Sequence, residues 1–363
     1  MFLTRRRFMS SALAASALAT PALSLTRYAP QPDQWRRFEL VTRIALPREG
    51  KRAQVWVPVP AHADADWALP GETRWTGSAD ASALVQDAAT GAAFVHAAWS
   101  AGPGEAVMEV VSTVETRSRA VDLDSQRLVL MTPEERARHT AATHLIPTDG
   151  IVRETAEGIV AGVTDDAVKA RLIYDWVVES TERNPETRGC GLGDIATMLH
   201  QGDLTGKCAD LNALYVGLAR SVGLPARDLY GLRVAPSEFG YKSLGAGSSD
   251  VTKAQHCRAE VFLDGLGWVP VDPADVRKVV LEEPPKTLTL DDAPVQQVRE
   301  ALFGAAEGNW VALNHAHDVV LPGSDNGPVG FLMYPQAEID GVRQDELDPS
   351  EFRYDITVRE LTA

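Results

Sequence analysis

The chain has 363 residues, a formal charge of -15, 45% hydrophobic residues and only three cysteines. That length accommodates two or three domains and a sizeable core. An acidic chain without a Lys/Arg-rich block is poorly suited to nucleic acid or anionic membranes, and no run past the N-terminus is apolar for long enough to span a bilayer.

Residues 1–25 read as a removable leader. Arg5, Arg6 and Arg7 precede a short, Ala-rich apolar run, the order of an export signal. Thr4-Arg5-Arg6-Arg7-Phe8-Met9 resembles the twin-arginine signal, which implies the twin-arginine export machinery as a partner of the precursor and a periplasmic or secreted mature chain without a membrane span. A short N-terminal anchor or a disordered start is the alternative.

From 30 to 125 the pattern is strand-like. Phe38–Leu46, Arg52–Pro60 and Val107–Val114 partly alternate and are separated by Gly, Pro, Asp and Ala clusters, which predicts a β-sandwich. Residues 126–150 read as a polar linker with a short helix. A core over 151–285 follows. Asp165 and Asp166 open a helix in which Val168, Leu172, Ile173, Trp176 and Val177 form one buried stripe, ended at Asn184-Pro185.

Leu211, Leu214, Leu218 and Val222 mark the next helix, stopped by Gly223 and Pro225. Counting back puts Gly206-Lys207-Cys208 at its entrance. A helix N-terminus presents unpaired N–H groups and partial positive charge, which favour a thiolate and could stabilise an oxyanion. A strand from Leu229 to Val234 precedes a Gly/Ser-rich loop over 235–253, of a length usually functional or mobile. Then a hairpin turns at Asp264-Gly265. It brings His256 and Asp272 within about one diagonal step on neighbouring strands, so that Asp272 fixes one imidazole nitrogen and leaves the other for a thiol. Residues 286–363 form a strand-containing extension that either completes the core or packs on the sandwich.

Gly206-Lys207-Cys208-Ala209-Asp210, Gly223-Leu224-Pro225-Ala226-Arg227, Gln255-His256-Cys257-Arg258-Ala259-Glu260-Val261 and Trp268-Val269-Pro270-Val271-Asp272-Pro273 together resemble the transglutaminase-like superfamily. The resemblance covers about residues 150–285 and implies an α+β protein: a papain-like transglutaminase core joined to an N-terminal β-sandwich. It implies a catalytic triad of Cys208, His256 and Asp272, no cofactor and no metal. For the side-chain oxyanion donor of papain-like enzymes, Gln201 and Trp176 are the two candidates. The expected chemistry is thiol-dependent acyl transfer on a peptide or protein amide, with hydrolysis ahead of transglutaminase cross-linking. The rival is a non-catalytic periplasmic binding or assembly module.

Two side questions stay open in the sequence. Cys190 and Cys257 could pair in an oxidising compartment or remain separate thiols, and strand alternation predicts that Cys257 points away from the active-site face. His315 and His317, at i and i+2, could share a strand face as metal ligands or be ordinary satisfied polar residues.

Overall fold

The computed structural model describes residues 25–125 and 129–362; the leader lies outside them. Two antiparallel sheets face each other in the N-terminal part. One runs Tyr354–Leu361, Arg36–Leu46, Ala106–Thr116, Ala68–Gly77; the other runs Val342–Arg343, Gln336–Ile339, Ala53–Val59, Ala93–Trp99, Ala81–Gln86. The alternation in Phe38, Leu40 and Ile44 turns those side chains inward against Val55, Val57 and Val95. Each sheet draws a strand from the C-terminal segment, Tyr354–Leu361 on Arg36–Leu46 and Gln336–Ile339 on Ala53–Val59.

Seven α-helices are described: α1 (Pro133–Thr140), α2 (Gly150–Ile159), α3 (Asp166–Ser180), α4 (Ile195–Gln201), α5 (Cys208–Ser221), α6 (Pro273–Glu282) and α7 (Ala293–Ala301). The core sheet runs Gly267–Val271, Gln255–Leu263, Ala226–Arg233, Trp310–Asn314. Its last strand also comes from the C-terminal segment, which thus both completes the core and packs into the sandwich. All fourteen residues of α5 are buried, so this helix is enclosed on every side rather than on the one leucine face that its periodicity suggests. Leu214 and Leu218 share a cluster with Ile173 and Val177 of α3 and with Ala259, Val261 and Val269 of the sheet.

The stripe on α3 is rotated from its expected position. Ala170, Ile173, Tyr174, Val177 and Val178 are buried, whereas Val168 is 48% and Leu172 36% exposed. Tyr174 decides the rotation: its ring enters the core and its hydroxyl donates to the Arg299 carbonyl at 2.8 Å, so a buried aromatic with a satisfied polar tip displaces two aliphatic residues.

Candidate active site

Cys208 is the first residue of α5, and its backbone N–H therefore has no intrahelical acceptor. Asp210, at the third helical position, ties down the entrance. One oxygen accepts from Lys207 N at 2.9 Å, and the other accepts from Leu192 N and Gly193 N, each at 2.9 Å. The carboxylate occupies the space that side chains at Gly206 and Gly191 would need, and Gly191 has φ +95°, so glycine is required at both places. This clamp lays the 190–193 loop across the helix start. Ala209 N donates to the Cys190 carbonyl at 2.9 Å, and Cys190 N donates to the Tyr334 hydroxyl at 2.9 Å.

The hairpin pairs Ala259 with Val271 and Leu263 with Gly267, with Gly265 at φ +87° in the turn. Asp272 therefore stands one residue past the last pair, diagonal to His256. His256 Nε2 is 2.7 Å from Asp272 Oδ2 and 3.3 Å from Asp275 Oδ2. Asp272 also caps α6, accepting from Asp275 N at 3.1 Å, so one carboxylate starts a helix and fixes the imidazole. Asn212, one turn beyond Cys208 on α5, donates to Asp272 Oδ1 at 3.3 Å and to the Cys257 carbonyl at 2.8 Å. Arg233 grips Asp275 through two contacts of 2.6 and 2.8 Å, which offsets the second negative charge beside His256.

Electrostatics follow from this packing. Burial and the Arg233 guanidinium depress the His256 imidazolium, but Asp275 and Asp272 outweigh them and hold it up at about 9. The Cys208 thiol is pulled well below its usual range, first by the adjacent Cys190 thiol, then by that of Cys257, with His256 adding to them against burial. Cys190, whose thiol donates to the Gln255 carbonyl at 3.4 Å, is pushed up in return, first by Cys208. Burial works against the Asp275 anion, yet Arg233 and His256 keep it well below the carboxylate range.

The three cysteines are free, and their sulfurs lie within 4.8 Å of one another. Cys257 thus reaches the Cys208 sulfur, contrary to the expectation that it faces away. The entrance of α5 overlies the neighbouring residues His256 and Cys257, and the helix end is reached from both. The three thiols, and separately His256, Asp272 and Asp275, are the two groups of metal-ligand spacing among the described residues; in each, the polar atoms are already engaged with one another or with Arg233. His315 and His317 lie elsewhere. The His315 ring is 5.7 Å from that of His62 and 5.9 Å from that of His139, and His317 Nε2 is 3.4 Å from Asp228.

Cys190, Cys208 and His256 line one cavity of about 840 Å³, with the loop from Gly245 to Ala254 along its wall. The Gly/Ser-rich stretch therefore borders the site. Neither oxyanion candidate does. Gln201 ends α4 on the surface, and Trp176 packs against the helical core; neither lines the cavity that holds Cys208. Asp210, Asn212, Arg233 and Asp275 were not singled out by the sequence. The i, i+4 spacing of Cys208 and Asn212 and the acidic pair Asp272/Asp275 around Pro273 were the available signals.

The sequence profile of the transglutaminase-like superfamily matches residues 153–273, the segment that carries Cys208, His256 and Asp272. An uncharacterised protein of Haemophilus influenzae is 35% identical over 326 residues, covering 85% of this chain and 87% of that protein. The crystal structure of a candidate cysteine protease from Cytophaga hutchinsonii superposes with a TM-score of 0.50 at 15% identity, over 90% of this chain and 99% of that one, which establishes the shared fold. No helix among the described residues is long and apolar enough to cross a membrane. With a papain-like α+β core and a matching profile over residues 153–273, the chain carries a domain of the transglutaminase-like superfamily.

Proposed function

We propose that this protein is an exported thiol-dependent hydrolase of peptide or protein amides, with Cys208 as nucleophile, His256 as its acid–base partner and Asp272 positioning His256. The observation that carries the reading is a buried imidazole, bonded to Asp272 through Nε2 at 2.7 Å, on the wall of the same cavity as a helix-entrance thiol. Since Nε2 is occupied, Nδ1 serves the sulfur.

The Cys208 thiolate attacks the amide carbonyl carbon, and the C=O π electrons move onto oxygen. The Cys208 backbone N–H receives that oxyanion. Collapse re-forms the carbonyl and breaks the C–N bond as His256 delivers its proton to the leaving amine. Neutral His256 then takes a proton from water, whose oxygen attacks the thioester and expels Cys208 thiolate. Water is the favoured acceptor because a cavity of about 840 Å³ holds many waters at ~30 Å³ each; an acceptor amine in its place would make the cross-linking reaction.

Cys208→Ala should abolish turnover of an amide substrate with the fold retained. Turnover surviving in that variant would refute the assignment. Export is a separate part of the proposal, supported by Thr4 to Met9. Replacing Arg5 and Arg6 by Lys should strand the precursor in the cytoplasm, and undiminished export would refute the twin-arginine reading.

A further inference from the structure

The charge of the cavity opposes that of the chain. The chain carries 35 Lys and Arg against 50 Asp and Glu, yet the cavity is lined by seven Lys and Arg and only three carboxylates. Two of the seven are neutralised: Arg233 by Asp275, and Arg188 by Asp345 at 2.7 Å. Three others on the cavity wall, Arg183, Lys207 and Lys278, are not fully matched. Arg183 pairs with Gly206 across a short parallel ladder, which places it next to Lys207 and Cys208, and its side chain contacts Glu282. The Lys207 ammonium rests on the Thr187 carbonyl at 2.6 Å and has no carboxylate partner among the described residues. Lys278, on the helix that Asp272 caps, is 3.9 Å from the same Glu282 and makes no hydrogen bond among the described residues. Its side chain is only 17% exposed.

A nearly buried ammonium without an acceptor is costly unless something completes it. Burial, reinforced by Arg233, depresses Lys278 to about 8. One glutamate shared between Arg183 and Lys278 leaves a net positive charge at this end of the cavity. Lys207 adds a second.

We infer that Lys278, with Arg183 and Lys207, forms a carboxylate-binding subsite beside Cys208, and that the substrates are acidic peptides whose carboxylate sits next to the scissile amide. The inference rests on Cys208 being the reactive thiol. Charge-assisted bonds to the substrate carboxylate should give roughly ten- to hundredfold selectivity over a neutral counterpart. The rest of the acidic protein repels such ligands, so the subsite also selects where they dock.

Alkylation tests this without a known substrate. Iodoacetate and iodoacetamide differ in their carboxylate, and both label a reactive thiol. The ratio of their rates at Cys208, iodoacetate over iodoacetamide, should fall about tenfold in Lys278→Gln and be preserved in Lys278→Arg. An unchanged ratio with fast iodoacetamide labelling would overturn the subsite and leave the nucleophile intact. Slow labelling of the wild type by both reagents would overturn the nucleophile and the subsite together. Protection of Cys208 from iodoacetamide then locates the carboxylate. One blocked peptide carries a glutamate side chain and a terminal carboxamide; its counterpart carries glutamine and a free terminal acid. Protection by either supports the subsite and names the source of the charge. Equal protection by a wholly neutral peptide contradicts it.

Discussion

His256 Nε2 faces two carboxylates at once, Asp272 at 2.7 Å and Asp275 at 3.3 Å; Arg233 binds the second at 2.6 and 2.8 Å, whereas Arg258 Nε stands 3.9 Å from the first. Asp272 is thus the nearer and the less tightly paired carboxylate beside the imidazolium. Asp272→Asn keeps the cap on α6 and removes that charge. The His256 pKa should fall from about 9 toward the unperturbed ~6.5. In the proposed mechanism the charged ring protonates the leaving amine, so the alkaline limb of kcat/KM should move down in pH with it. An alkaline limb that stays near 9 would assign the control of His256 to Asp275 instead.

The adjacent Cys190 thiol helps to hold the Cys208 pKa down. Cys190→Ala removes that neighbour, so the Cys208 inflection in a plot of alkylation rate against pH should move upward. Cys257→Ala should act in the same direction and more weakly. Non-reducing mass mapping should find Cys208 unlinked in active protein.

Asp210→Ala should release three backbone N–H groups, those of Lys207, Leu192 and Gly193. Charge-assisted bonds of this kind are worth about 1.5–3 kcal/mol each at most and are not additive, so a stability loss of roughly 2–4 kcal/mol in denaturant is expected. Alkylation of Cys208 should slow as the 190–193 loop loosens. Gly191→Ala should reproduce both effects, because the added methyl meets the same carboxylate.

Glu260 is fully buried between Arg227, at 2.7 Å, and Arg119, which also donates to the Trp268 carbonyl at 2.7 Å. The arginine pair joins the segment after the sandwich to the core sheet. Glu260→Gln leaves two guanidinium groups without their anion, so unfolding should become easier by about 3–5 kcal/mol, measured by urea titration, although the residue lies away from Cys208.

What the sequence made legible was local. Gly206-Lys207 before Cys208, Gly223 and Pro225 after the helix, and Asp264-Gly265 in the hairpin are punctuation that acts over a few residues, and they sufficed to bring His256 to Asp272. The remainder of the site depends on contacts between distant segments. Cys190 reaches Cys208 because Asp210 binds the 190–193 loop, and Tyr334 holds that loop from the C-terminal segment. Nothing in the spacing of those residues encodes the approach. The α3 stripe was misplaced because aliphatic periodicity outweighed Tyr174, and Gln201 and Trp176 were nominated by position in the chain, which does not fix the face on which a side chain lies.

The pairing proposed for Cys208 and His256 is measured by the rate of Cys208 alkylation by iodoacetamide as a function of pH, in wild type and His256→Ala. A wild-type inflection well below the free-thiol value of about 8.5 is expected, rising toward that value when the imidazole is removed. A wild-type inflection at the free-thiol value, unmoved by His256→Ala, would contradict it.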